Sequence, residues 1–258
     1  MSDSSSHLGS VLVPKERGGW SLALEPVVLG LIAAPSSAGL PLAGAVLAGF
    51  LARRPLKLAV TLPAADPRRG LAWSCAGGLA GLALAGVAGA ARLGSWTQLW
   101  PLLAAVPFGA AFLWYDLRQA MREAEAELAG SIAFALVPAA FATLAGRPAA
   151  AALALAGLML ARSVPTVLAV RAFLRMRKGQ AGSGWPAFGA AVAAWVVTFA
   201  LASRGLVPGL APILVTLLLI RTYFLISPMA PAWSATRLGI VEAIAGAVYV
   251  VTLGLAAH

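Results

Sequence analysis

Metal and thiol chemistry have almost nothing to work with in this sequence. Its 258 residues include one cysteine, Cys75, and two histidines, His7 and His258. A lone cysteine forms no internal disulfide, and no metal-ligand spacing surrounds Cys75. Both histidines lie at the chain ends, which argues against a histidine metal site or a histidine base. Charge is scarce as well. Asp, Glu, Lys and Arg make up 11% of the chain, where a soluble domain carries about 25%. Acids are the scarcest charge, nine against nineteen cations. The net charge of +10 invites a nucleic-acid reading, but no soluble basic domain is present to carry one.

Apolar residues are in excess, at 60% of the chain. Runs this long and this apolar face lipid rather than water. The fold class is therefore an all-α polytopic membrane protein. Apolar stretches separated by Pro, Gly and charge predict about nine transmembrane helices, at 20–36, 38–61, 69–92, 96–118, 123–145, 149–176, 184–203, 207–226 and 236–257. The small-residue run "GGLAGLALAGVAGA" (77–90) suits close helix packing in lipid. The start, "MSDSSSHLGS", lacks the basic-then-apolar pattern of a cleaved signal. It reads as a disordered cytoplasmic tail over 1–12, followed by one polytopic domain over 13–258.

The charges are unevenly placed along these spans. With the N-terminus inside, even-numbered helices end in the cytoplasm. Fifteen of the nineteen cations then fall at the inner face, and three, Arg92, Arg147 and Arg204, fall outside. Arg162 lies within a span. This bias predicts a cytoplasmic N-terminus, an external C-terminus and an odd number of spans. Glu16, Asp66, Asp116, Glu123, Glu125 and Glu127 share the inner face. The positive-inside rule concerns cations and leaves those acids unexplained; a hydrated cavity open to the cytoplasm explains them.

Ionisable residues inside a membrane are costly and face a cavity or a partner. Three lie deep here. Glu25 sits beside Pro26 in "GGWSLALEPVVLG", where the proline removes a backbone donor and loosens the helix. Arg162, in "LMLARSVPTVLAVRAFLRMRKG", is nine residues deeper than Arg171, or ~13 Å at helical rise. Glu242, in "RLGIVEAIAGAVYV", shares a helix face with Gly239 and Gly246. That face suits tight packing, with Glu242 pointing inward. These three are either a buried structural pairing, Arg162 with Glu25 or Glu242, or a polar site that binds anions or relays protons.

Nearer the inner face, Arg171, Arg175 and Lys178 form one stripe, for headgroup anchoring or for a ligand. In "WYDLRQAMREAEAELAG" (114–130), Arg118 and Arg122 stand one turn apart, as do Glu123 and Glu127. This is a solvated corner or the lid of a polar pocket. In "FLARRPLKLAV" (50–60), Lys57 is one turn beyond Arg53 and shares its face, while Arg54 is rotated away. If the shared face looks into the bundle, Arg53 and Lys57 bind while Arg54 anchors.

Five stretches in order, "VPKERGGWSLALEPVVLG", "RRPLKLA", "LRQAMREAEAELAG", "ARSVPTVLAVRAFLRMRKG" and "RLGIVEAIAG", resemble the YwiC-like family of bacterial integral membrane proteins. The resemblance implies a multi-pass protein of the bacterial inner membrane and no established activity. A more distant similarity is to the UbiA-type prenyltransferases, nine-helix proteins with an inward-facing active site. The segment "WYDLRQAMREAEAELAGSIAFAL" is similar to the one that begins helix five there. Those enzymes hold magnesium against a diphosphate with Asp-rich motifs after helices two and six. Here the two places read "ARRPLKLAVTLPAAD", with Asp66 its single acid, and "RAFLRMRKGQAGSG", with none. Mg²⁺ requires carboxylate oxygens. Arg and Lys cannot ligate it, but they bind phosphate or carboxylate directly. No metal site and no Mg²⁺ cofactor are expected.

The expected architecture is a UbiA-like bundle of about nine spans, with a cytoplasm-facing polar cavity for an amphipathic anion such as a lipid or isoprenoid phosphate. Candidate anion contacts are Arg53, Lys57, Arg118, Arg122, Arg162, Arg171 and Arg175; candidate polar residues of the cavity are Glu25, Asp116, Glu123, Glu127 and Glu242. Two alternatives stand beside this. One is a divergent prenyltransferase whose cations stabilise a departing diphosphate. The other is a proton-coupled transporter working through Glu25, Arg162 and Glu242, against which no inverted repeat is visible. A structural membrane protein without a small-molecule site is a third reading.

Overall fold

The computed structural model describes residues 19–121, 123–180 and 183–257. Among them every regular element is a helix. In chain order these are α1 (Gly19–Ala33), α2 (Gly39–Thr61), α3 (Pro67–Leu93), a 3-10 turn (Trp96–Leu99) leading into α4 (Trp100–Leu117), α5 (Ala124–Ala135), α6 (Val137–Leu144), α7 (Ala149–Arg177), α8 (Trp185–Ser203), α9 (Ala211–Ile226) and α10 (Ala235–Ala256). With α5 and α6 taken as one broken span, the described residues form nine helical segments, and each overlaps one expected from the sequence. Six are long and apolar enough to cross a membrane: α3, the 3-10 turn with α4, α5 with α6, α7, α8 and α10. Arg53, Arg54 and Lys57 make α2 less apolar, while α1 and α9 are apolar but short. The chain is a multi-pass membrane protein. The tail 1–12, the cations Lys15 and Arg17, and the candidate Arg122 lie outside the described residues.

Local chemistry sets the boundaries. Helices α3, α4, α6, α8 and α9 carry proline in the first two positions, where no intrahelical N–H bond is lost. Asp66 and Ser234 cap α3 and α10 by accepting from the Arg68 and Arg237 N–H groups. Gly146, Gly179 and Gly205 follow α6, α7 and α8 with φ of 76°, 65° and 67°, the left-handed conformation that ends helices at little cost to glycine. The fifth span, expected to be continuous, breaks at Leu136. Pro138 has no N–H with which to continue α5, and the chain restarts as α6.

Short connections make successive spans antiparallel. The ends of α2, α4, α7 and α9 therefore lie at one end, here called the charged end. At the opposite end one continuous apolar core joins α1, α2, α6, α7, α9 and α10 around Leu29, Leu42, Phe141, Leu158, Val215 and Leu253. Toward the charged end this core divides into two small clusters. One comprises Ala169, Phe173, Ala187, Leu225 and Leu238 on α7–α10; the other is Ala59 and Ala72 on α2 and α3.

Glycines tighten the packing where backbones approach. A Cβ on Gly86 of α3 would lie 2.6 Å from the Pro41 carbonyl oxygen of α2. Gly77, Gly78 and Gly81 have nothing within 4 Å of that position, so only the last part of the small-residue run packs as expected. At the opposite end Arg147 donates to the Ala33 carbonyl at 2.5 Å and the Ala257 carbonyl at 3.3 Å. A cation is thereby fixed at the C-terminal ends of α1 and α10, where the helix dipoles favour it.

Candidate functional site

Four helices bring four charged side chains together between the continuous core and the cluster on α7–α10. They are Glu25 (α1), Arg162 (α7), Arg221 (α9) and Glu242 (α10). Helix periodicity turns them inward. On α10, Leu238, Glu242, Gly246, Tyr249 and Leu253 repeat every three or four residues and all are buried. On α7, Leu158, Arg162, Pro165 and Ala169 do the same.

Arg162 is 3% exposed. Its Nη2 stands 3.6 Å from Glu25 Oε1 and its Nη1 3.5 Å from Glu242 Oε2. The pairing expected with one of the two acids is present with both. Its shortest hydrogen bonds go to neutral oxygens instead: Nη1 donates to Thr166 Oγ1 at 2.5 Å and Nη2 to the Glu242 carbonyl at 2.7 Å. Arg221 pairs with Glu242 Oε1 and also reaches Thr166 Oγ1 at 3.4 Å. Ser21 Oγ donates to Glu25 Oε1 at 2.6 Å. Beneath the group, the buried Tyr249 hydroxyl donates to the Leu158 carbonyl at 2.8 Å. Gly246 makes room for the quartet: a Cβ there would overlap the Glu25 carboxylate. Gly239, expected to share this packed face, is exposed.

A second group lies nearer the charged end. Asp116 of α4, 4% exposed, accepts from Arg53 Nε and Nη2 at 3.1 and 2.8 Å and from Lys57 Nζ at 2.9 Å. The shared face of Arg53 and Lys57 does turn into the bundle. The Arg53 guanidinium lies 4.2 Å from the centre of the Phe112 ring, close enough for a cation–π contact. Phe50, Phe112, Phe134 and Trp20 pack edge-to-face below it, with centroids 5.5 to 6.3 Å apart.

A third contact ties α5 to α7 through Glu127 and Arg171 at 3.0 Å. Arg175, one turn on, is exposed with Lys178, so the expected stripe divides. Arg118 lies over the Trp114 ring at 3.9 Å, and Glu123 is exposed at the start of α5. The residue that sequence reasoning missed is Arg221, which it counted only as an inner-face cation. The signal was present in "LLLIRTYFLI", where this arginine interrupts an otherwise uncharged helix.

Asp66, the one acid following α2, accepts from the Arg68 guanidinium at 2.8 and 3.1 Å and from the Arg68 N–H at 2.8 Å. Those bonds hold its carboxyl well down, at about 2. Among the described residues no three His, Cys, Asp or Glu side chains stand together as a metal would require.

A family model described as YwiC-like protein matches residues 13–141, half of the chain. No curated protein and no solved structure matches.

Proposed function

This chain belongs to the YwiC-like protein family, and on that premise we propose that it binds an amphipathic anion, a lipid or isoprenoid phosphate, in the bacterial inner membrane. In this reading the bundle is UbiA-like, its charged end faces the cytoplasm, and the C-terminus lies outside. A C-terminal reporter active only in the cytoplasm would overturn that orientation.

The observation that carries the proposal is the grouping of Arg53 and Lys57 on the single carboxylate of Asp116. Asp116 holds both side chains turned into the bundle, where loose cations would snorkel to the surface. Two cations against one acid leave one positive charge over. A guanidinium and an ammonium held side by side suit phosphate or carboxylate oxygens. Of the rings beneath, Phe134 is only partly buried and offers an apolar chain a surface. The divided core at this end supports a polar space between α2–α3 and α7–α10.

Native mass spectrometry of the detergent-purified protein tests this. An anionic lipid or isoprenoid phosphate should co-purify with the parent and be lost from the combined Arg53→Gln and Lys57→Gln variant. An adduct that survives both changes, or a parent without any anionic adduct, overturns the reading. Release of diphosphate from a prenyl diphosphate by the purified protein would favour prenyl transfer instead. The buried quartet favours a second reading, proton-coupled transport, because paired acids and guanidiniums at depth are a frequent feature of proton and ion pathways.

A further inference from the structure

The quartet of Glu25, Arg162, Arg221 and Glu242 is formally neutral, two acids against two guanidiniums. Its bonds are unequally shared. Glu242 faces two guanidiniums: its Oε1 pairs with Arg221 and its backbone carbonyl holds Arg162, while its Oε2 is buried 3.5 Å from Arg162 without a hydrogen bond. Glu25 has one hydrogen bond, from Ser21 to Oε1, and a looser approach of Arg162 to that same oxygen at 3.6 Å. Its Oε2 accepts no hydrogen bond among the described residues.

The consequences of adding a proton therefore differ between the two acids. A proton on Glu242 would break its pairing with Arg221 and leave that guanidinium uncompensated. A proton on Glu25 weakens one long contact. Arg162 stays in place through Thr166 and the Glu242 carbonyl, its two short bonds. Besides Arg162, the described charge that acts on Glu25 is the Glu242 carboxylate, of like sign. On α10, Tyr249 is committed to Leu158. On α9, Arg221 is committed to Glu242. On α2, Arg53 and Lys57 are turned to Asp116, and on α5, Glu127 is turned to Arg171. Helix α6 has no titratable side chain. Gly246 leaves the carboxylate facing backbone, without a side chain to displace.

We propose that Glu25 is a proton-binding site: its Oε2 takes a proton from the aqueous phase while Glu242 stays ionised, so that the neutral quartet acquires one positive charge. The O–H bond forms on Glu25, and Arg162 loses its partner there without moving. The site holds whether the protein only binds its anion or also moves it, and it does not depend on Arg53 or Lys57.

Infrared spectroscopy of the full chain in lipid vesicles, titrated from alkaline to mildly acid pH, reads the proton directly. A protonated carboxylic acid has a carbonyl stretch distinct from that of a carboxylate. The parent should develop a titrating acid band that is missing from Glu25→Gln, present in Glu25→Asp and retained in Glu242→Gln. Ser21→Ala leaves all four charges in place and keeps the test usable if a charge variant fails to fold. It removes the one hydrogen bond to the ionised form and should move the band's midpoint about one pH unit toward alkaline pH. A band that survives Glu25→Gln, a band lost with Glu242→Gln alone, a midpoint unmoved by Ser21→Ala, or no titrating band in the parent each overturns the proposal.

Discussion

Replacing Arg162 by alanine removes the one side chain that touches both deep acids. Glu25 is left with Ser21 alone, and Glu242 is left with Arg221. The remaining set has two acids and one cation. Breaking a buried ion pair by removing one partner costs ~3–5 kcal/mol, because the other charge stays behind uncompensated. Here the separations are 3.5 and 3.6 Å, and both acids keep 12% side-chain exposure. The loss therefore belongs at the lower end, about 3 kcal/mol. For a chain of this size that corresponds to a fall in Tm on the order of 10 °C.

The rescue should be asymmetric. Arg162→Ala with Glu25→Ala leaves Arg221 and Glu242 as an intact neutral pair and should recover most of the loss. Arg162→Ala with Glu242→Ala leaves Glu25 and Arg221, opposite charges with no contact between them, and should recover little. Thermal unfolding followed by tryptophan fluorescence in one detergent, on the parent, the three single variants and the two doubles, reads the difference. Arg171→Ala, near the charged end and 18% exposed at its side chain, serves as the control and should stay within ~1 kcal/mol of the parent. Equal rescue by both second changes, or additive losses in both doubles, would refute the pairing scheme.

Two further outcomes follow from the geometry. Gly246→Ala should destabilise by ~1–3 kcal/mol, because its Cβ overlaps the Glu25 carboxylate and comes 2.8 Å from Arg162 Nη2. Adding Glu25→Ala should relieve most of that loss in the same unfolding assay, and an unchanged loss would show that something other than Glu25 fills the space. Asp66→Ala should lower Tm near neutral pH by uncapping α3. Asp66 has a carboxyl depressed from its ordinary value to about 2, so its contribution is present above about pH 4 and is lost as pH falls through about 2. The two unfolding curves should converge over that window; a gap that persists at the lower pH would disprove the assignment.

Span positions were legible because a bilayer demands a length of apolar chain, and six of the described helical segments supply it in full. Depth was legible too. Arg162 stands nine residues inside Arg171 on one helix, and rise per residue converts that to distance without any tertiary information. Rotation was only half legible. Spacing on one helix places Arg53 and Lys57 on a common face, yet nothing local says that Asp116 on α4 lies opposite. The Arg171 stripe shows the limit. Four residues advance a helix by slightly more than one turn, so Arg175 is already swung toward solvent when Arg171 meets Glu127. Arg221 escaped notice for a different reason. It lies one turn from the end of α9, where a cation satisfies the topology rule, and that sufficient explanation hid a side chain turned back to Glu242.

Depth also separates the roles proposed for the two charged groups. A net charge costs more the further it lies from water. The deep quartet is balanced, two against two, while the shallower set of Arg53, Lys57 and Asp116 carries one cation in excess. An anion arriving from the charged end therefore meets the excess at Arg53 and Lys57 before it reaches the quartet. The quartet has no such excess until a proton reaches Glu25, at which point Arg162 has a positive charge to offer. On this ordering, Arg53→Gln with Lys57→Gln should abolish anion binding at every pH if the shallow set is the only port of entry. Loss confined to alkaline pH, with binding restored as Glu25 takes up its proton, would instead place the anion on Arg162.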